Sequence, residues 1–382
     1  MSTPTLERPA AQPDATAASG RWSWLRTEQG LTLPIRLLIA AVVVGIGWTI
    51  SGNATSSDLF MLTTIVVWAL VATSLNIMVG FVGQLNLATG FFFALGAYIG
   101  VLGTGKWEWP GWLSMLAAIA LSAALAAILG LVIFRTKALY FALITSGISL
   151  VAYELSFAWS DLTGGAAGIS TAGPLSEGGI ARPFDLGIVS LEEPEAYFRF
   201  GLVALCVLVV ALTVVVRRRE GASWRAVRED DALAASIGIN VARRKRVAFI
   251  VCSTLTGAIG VFYGHWAGFI TPEAFTFGDA AFAPLAMVVI GGAGTFAGPI
   301  LGAVIVAGFP ELFRDLRDYS HLLYGGILLL AMMLAPGGLV GLAKDGVRRL
   351  ARRRGQEGSS TPAPEEPTDP GARRAPAGED LP

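Results

Sequence analysis

Charge is what this chain has little of. Of its 382 residues only 15% are Asp, Glu, Lys or Arg, while 54% are hydrophobic, so the water-facing coat that soluble domains of this length need cannot be assembled. Cysteine is nearly absent too. Cys206 and Cys252 both sit inside apolar runs without CxxC spacing, which reads as small buried side chains rather than a disulfide framework or thiolate metal site. His265 and His321 form no cluster for a metal. No apolar run carries a central pair of ionisable residues, since Glu154 and His265 lie near run ends, which weighs against a proton or sodium relay. The Ser/Lys, HExxH and paired-Asp constellations of an intramembrane enzyme are missing as well.

What the chain does have is apolar blocks. A bilayer is crossed by ~20 apolar helical residues, fewer where neighbours shelter the segment. Ten segments qualify: Leu33 to Ile50, Leu59 to Val79, Leu85 to Leu102, Trp112 to Phe134, Ala138 to Trp159, Phe198 to Val216, Val247 to Phe269, Ala280 to Gly291, Phe296 to Phe313 and His321 to Leu342. The expected fold class is therefore all-α, a polytopic transmembrane helical bundle of about ten spans with discontinuous helices. Residues 1–32 lack the apolar core and cleavage site of a secretory signal and read as a disordered arm; residues 343–382 turn from basic to Pro/Gly/Glu-rich and read as a disordered tail. Basic residues at Arg21 to Arg36, Arg135 to Lys137, Arg217 to Arg246 and Lys344 to Arg354 fall on one side if both termini are cytoplasmic. The external loop over 160–197 is then acidic and Gly-rich.

Three segments depart from simple spans. Leu85 to Leu102 opens on polar residues, Ala280 to Gly291 is short, and Gly291 to Pro299 is a glycine hinge. Broken helices are tolerated at membrane depth only where the backbone is buried in protein or lines a cavity, so these segments are the candidate pathway. Its residues are Gln84, Asn86, Thr89, Phe91, Gly96 and Tyr98 on the first side and Gly291, Gly292, Gly294 and Pro299 on the second. Gln84, Asn86 and Thr89 serve equally well as ligand contacts or as amide and hydroxyl glue between helices. Gly100 to Lys106 matches GxxxxGK, but Trp107 stands where a phosphate loop needs Ser or Thr and no strand precedes it; chance explains the match, and Lys106 with its tryptophans reads as an interfacial anchor.

Inside this apolar chain lies one long polar island, Arg217 to Arg246, with nine Lys and Arg. Within this coupling loop, 217–246, Asp230 or Asp231 is placed to cap a short helix whose Leu233, Ala234 and Ile237 fall on one face, with Gly238 as its stop. Such a helix lies on lipid or docks in a partner's groove, and its acidic start favours the groove. The flanking Arg217 to Arg219 and Arg243 to Arg246 are expected to need no partner and to anchor at the membrane interface.

The run from Asp230 to Asn240, then Gly268 to Glu273, Gly291 to Gly302, Gly83 to Leu87, Gly96 to Tyr98, Leu162 to Ile169, Tyr324 to Gly326 and Pro336 to Leu339 resembles the permease subunits of branched-chain amino acid ABC importers, over about Thr63 to Leu342. The resemblance implies a multi-pass protein of the bacterial plasma (inner) membrane, in contact with lipid and with no nucleic-acid partner. It further implies a second homologous permease subunit, two cytoplasmic ATPase subunits holding ATP and Mg, and an extracytoplasmic substrate-binding protein. This chain would then be no enzyme and bind no cofactor itself. By position, Glu229, Asp230, Asp231, Leu233, Ala234, Ile237, Gly238 and Asn240 would couple to the ATPase. Asn86, Ala88, Thr89, Gly90 and Phe91 stand where members of the family often show Ser, Gly, His, Ala and Ala, which leaves urea, short amides or a sugar open beside hydrophobic amino acids.

Overall fold

A computed structural model describes residues 33–135, 138–170, 184–185, 190–191, 193–312, 326 and 338–341. The chain begins with α1 (Leu33–Ser51) and α2 (Ser56–Asn76). At the start of α2, Thr55 and Asp58 form a capping box: Asp58 N donates to Thr55 Oγ1 at 3.3 Å and Thr55 N to Asp58 Oδ2 at 3.1 Å. Without a break α2 widens into a π-helical turn over Ile77–Val82, which ends where Gly83 turns left-handed at φ 76°. After six non-helical residues, 83–88, come α3 (Thr89–Gly105), α4 (Gly111–Ile133) and α5 (Ala138–Ala158).

The following loop contributes single turns and three two-residue strands, β1 (Ile169–Ser170), β2 (Phe184–Asp185) and β3 (Ser190–Leu191). Then come α6 (Pro194–Arg217), α7 (Arg219–Glu229), α8 (Asp231–Ser236), α9 (Val241–Ala267) and β4 (Phe269–Ile270). A second π-helical turn, Phe277–Phe282, leads into α10 (Ala283–Gly291), and α11 is Gly298–Leu312. Among the described residues the architecture is mostly helical, and two short ribbons depart from the all-α expectation: β1 pairs antiparallel with β4, placing Ile169 opposite Ile270, and β2 pairs with β3, placing Phe184 opposite Leu191. The β1–β4 ribbon ties the loop after α5 to the chain just past the end of α9. Backbone polar groups outside a helix need partners, and these paired segments supply them to one another.

Every expected apolar segment up to Phe296 to Phe313 coincides with a described helix, whereas His321 to Leu342 lies outside the described residues except for 326 and 338–341. Length separates the segments into two groups. Five helices are long and apolar enough to cross a membrane alone: Ser56–Val82, Gly111–Ile133, Leu139–Ala158, Pro194–Arg217 and Val241–Ala267. Ala40–Ser51, Thr89–Gly105, Phe277–Gly291 and Gly298–Gly308 are apolar but shorter. The outer helices α4 and α5 expose Leu116, Ile128, Val132, Leu139, Leu143 and Val151, the apolar surface a lipid-facing helix presents.

The core forms around α9, whose backbone touches that of α3. A Cβ at Gly96 would lie 1.9 Å from Gly257 O, and one at Gly260 would lie 2.3 Å from Phe93 O. In lipid no water is expelled when helices meet, so close backbone approach through small residues supplies the packing that holds them. Polar side chains add hydrogen bonds between elements. Ser74 Oγ and Thr256 Oγ1 lie 2.9 Å apart between α2 and α9, and His265 Nε2 is 3.2 Å from Thr104 Oγ1 between α9 and α3. At the edge, Arg199 of α6 donates from Nε to Ser51 Oγ at 2.8 Å and lies 4.4 Å from the Trp48 ring of α1. Gly100 and Lys106, the ends of the GxxxxGK match, belong to α3 and its C-cap, with Gly100 packed on Val261 rather than in a phosphate-binding loop.

The α3–α9 contact yields a direct test. Gly96→Leu drives a side chain into Gly257 backbone and is expected to cost about 1–3 kcal/mol or more, read as a melting point lowered by several degrees in mild detergent. Gly147→Ala on α5, where nothing lies within 4 Å of the new Cβ, should melt no lower than the parent.

Candidate functional site

Two helix breaks meet at one end of the bundle. The first is the π-helical turn with Gly83 and the non-helical residues up to Thr89; the second is the link from Gly291, through Gly292 at φ 119° and Gly294 at φ 82°, to Gly298. Only glycine adopts such backbone without strain. The two breaks touch. A Cβ at Gly80 would lie 2.3 Å from Gly294 N, and one at Gly291 would lie 1.8 Å from Gly298 O.

Asn76 staples them together. Its Nδ2 donates to Thr295 O at 2.8 Å, and its Oδ1 accepts from Gly294 N at 2.9 Å. One buried amide thereby satisfies a donor and an acceptor of the second break from the last residue of α2. Thr295 closes the link from within: its Oγ1 donates to Gly292 O at 2.8 Å and accepts from Gly298 N at 2.9 Å. On the other side of this junction Arg228 of α7 donates from Nη1 to Gly80 O. The same Nη1 lies 2.3 Å from the place of a Cβ at Gly294, and Arg228 Cγ lies 2.7 Å from that of a Cβ at Gly83. A single guanidinium therefore rests on both breaks. Burial draws its pKa below the ordinary guanidinium value and the neighbouring Glu229 opposes that shift; the group stays charged.

The candidate pathway residues fall into separate environments. Gln84, Asn86 and Thr89 are buried beside the first break. There Leu87 N donates to Thr145 Oγ1 at 3.2 Å and Ser149 Oγ donates to Leu87 O at 2.5 Å, so α5 satisfies the non-helical backbone. Asn86 Oδ1 accepts from Ala88 N at 3.1 Å and its Nδ2 points at Cys252 Sγ at 3.8 Å; the amide shapes the turn that starts α3. Thr89 Oγ1 is buried with no hydrogen-bond partner. Phe91 and Tyr98 sit farther along α3 in a cluster of rings, Phe91 edge-on to Phe92 at 5.1 Å and Tyr98 5.4 Å from Phe275. Gly96 faces Gly257 in the α3–α9 contact, and Pro299 lies in the first turn of α11. The structure thus brings Gly294 to the Asn76–Arg228 junction, with Gln84 next in sequence to Gly83 at the first break, and leaves Phe91, Gly96 and Tyr98 farther along α3.

At the same end lies the polar island, folded as α7, α8 and the first turns of α9. Asp230 is the N-cap of α8: its Oδ1 accepts from Ala232 N at 2.7 Å and from Leu233 N at 3.0 Å. Gly238 at φ 86° ends that helix, and Asn240 caps α9 by accepting from Arg243 N at 3.0 Å. The expected common face of Leu233, Ala234 and Ile237 divides. Leu233 and Ile237 are 64% and 68% exposed, while Ala234 is 2% exposed and turned toward the protein. These two apolar side chains stand one helical turn apart on an outward face. Glu229 closes α7 beside them.

Two features of the island depart from the sequence reading. Its basic residues do find partners, since Arg244 pairs with Glu220 of α7 and Lys245 with Asp231 of α8; charges brought near each other by folding lower their energy by pairing before either reaches a headgroup. The second is α7 itself, whose Gly221, Trp224 and Val227 are buried against the body. Their spacing at i, i+3 and i+6 was the available signal for that helix and for the placement of Arg228.

Comparison with known proteins gives this geometry a family. Residues 57–335 match the model of the branched-chain amino acid transport system / permease component. The chain is 31% identical over 354 residues to the high-affinity branched-chain amino acid transport system permease protein LivM of Escherichia coli K12, covering 89% of this chain and 83% of that one. It is 24% identical over 295 residues to the permease protein LivH of the same system in that organism, covering 72% of this chain and 91% of LivH. The probable LivM of Methanocaldococcus jannaschii is 28% identical over 182 residues, 42% of this chain and 51% of that one. No solved structure matches. With its apolar helices, its two glycine breaks and a match over most of its length, this multi-pass membrane protein belongs to the family of branched-chain amino acid transport permeases.

Proposed function

We propose that the chain is the membrane-embedded permease subunit of an ATP-driven importer in a bacterial plasma membrane, passing branched-chain or other hydrophobic amino acids delivered by an extracytoplasmic binding protein. The observation that carries this reading beyond the family is α8: a capped six-residue helix at the glycine-break end with Leu233 and Ile237 exposed together. An apolar pair projecting from a charged loop is the ridge that a groove on a cytoplasmic ATPase would receive. Hydrolysis belongs to those subunits, which hold ATP and Mg, while this chain contributes the pathway. Similarity to both LivM and LivH, permease proteins of high-affinity branched-chain amino acid transport in Escherichia coli, supports a pair of related permeases, so a second, homologous subunit completes the pore. With both termini and the α7–α8 loop cytoplasmic, the β1–β4 end faces the binding protein.

The fitting experiment is reconstitution of the purified complex in liposomes with radiolabelled leucine or valine. Uptake that needs ATP and the binding protein is expected. ATP-driven uptake of urea, a short amide or a sugar instead would reassign the substrate, and uptake by this chain alone without ATP would overturn the importer reading. Leu233→Asp places a charge on the docking ridge and is expected to reduce ATPase co-purification and uptake at least about tenfold, the scale of a lost interface anchor. Gly238→Glu has open space around its Cβ but a left-handed backbone, so insertion should persist while coupling falls; transport at the normal rate in both variants would sink the docking assignment.

A further inference from the structure

Arg228 lies two residues before the N-cap of α8 and makes contacts that no docking helix needs for docking. Its Nη1 donates to Gly80 O, and its side chain packs against the backbone of Gly83 and Gly294. Both breaks follow the C-terminal ends of helices, α2 with its π turn and α10 with its C-cap at Gly292. Helix C-termini carry unsatisfied carbonyls and a partial negative charge. One cation placed between two such ends is held by both.

The link to α8 is equally short. Trp224 and Val227 are buried, so α7 moves with what it packs on, and Asp230 is the one residue between α7 and α8, in extended backbone at φ −160° and ψ 118°. Lys245 and Arg244 of α9 hold α8 and α7 through Asp231 and Glu220. Displacement of α8 by a partner therefore reaches Arg228 through two residues of chain, Glu229 and Asp230. From there it reaches both breaks at once, because Asn76 already joins them.

Resting on the importer reading above, we infer that Arg228 is the positioning residue that transmits movement of the docking helix to the two helix breaks, holding them in one arrangement until α8 is displaced. It acts as a fork: a planar guanidinium spans both backbone segments, whereas an ammonium is a point charge that reaches one of them.

The test uses the complete transporter reconstituted with its ATPase subunits, second permease and binding protein, and reads substrate moved per ATP hydrolysed together with assembly and melting temperature. Wild-type complex must first show ATP-dependent uptake; if it does not, the importer reading fails and not the role of Arg228. Given that activity, Arg228→Met is expected to assemble normally, continue to hydrolyse ATP and lower the transport-to-hydrolysis ratio at least about tenfold, within the span of measured couplings between sites. Arg228→Lys should recover part of that ratio, and Gly294→Ala, whose methyl meets Nη1 from the opposite side, should lower it with Arg228 intact. An unchanged ratio in Arg228→Met overturns the proposal. So does loss of assembly in both Arg228→Met and Arg228→Lys, which would make the residue a folding determinant only.

Discussion

Backbone that leaves a helix while buried in protein has no water to bond with, and each unmatched N–H or C=O costs several kcal/mol. At one end of the bundle this chain leaves the helix after Val82 and again after Gly291, and its neighbouring helices satisfy those two departures. Asn76 serves the second from the end of α2, Thr145 and Ser149 serve the residues before α3, and Arg228 caps the first from outside the bundle. The partners come from three different helices, α2, α5 and α7, so none of these segments can shift without changing the hydrogen bonding of another.

The same constraint explains why the glycines concentrate where they do. At Gly80, Gly291 and Gly298 a side chain would collide with backbone, and at Gly83, Gly292 and Gly294 the dihedral angles themselves favour glycine. Close approach brings the two breaks within reach of one amide and one guanidinium. The glycines of the α3–α9 contact do different work, allowing two long helices to pack backbone to backbone along a rigid seam. A hydrogen-bonded junction at one end of the bundle therefore stands beside a close-packed seam of helix backbone.

Much of the fold could be read from one-dimensional hydrophobicity. Segments such as Trp112 to Phe134 and Phe198 to Val216 became α4 and α6 with ends moved by only a few residues, because burial in lipid depends on local composition. The cap at Asp230 and the stop at Gly238 were equally legible, since both act within a few residues of chain. Less was legible of the site. The shared face expected for Leu233, Ala234 and Ile237 split because tertiary packing, not helical spacing, decides which side of a short helix is covered. Arg244 and Lys245 read as lipid anchors and became partners of Glu220 and Asp231, residues 24 and 14 positions away.

The sequence by itself determined that this is a multi-pass helical membrane protein, where most of its described apolar helices run, and that glycine-rich interruptions and one capped polar helix set it apart from a simple bundle. Those properties follow from local hydrophobicity, backbone preference and capping. Only the tertiary structure decided that the interruptions after Val82 and Gly291 touch, that Asn76 bonds across 219 positions to Thr295, and that Arg228, one of nine basic residues in its stretch, is the one laid on both. The physical reason is that such pairings are set by how far helices pack apart, a distance fixed by side chains remote from one another in the chain.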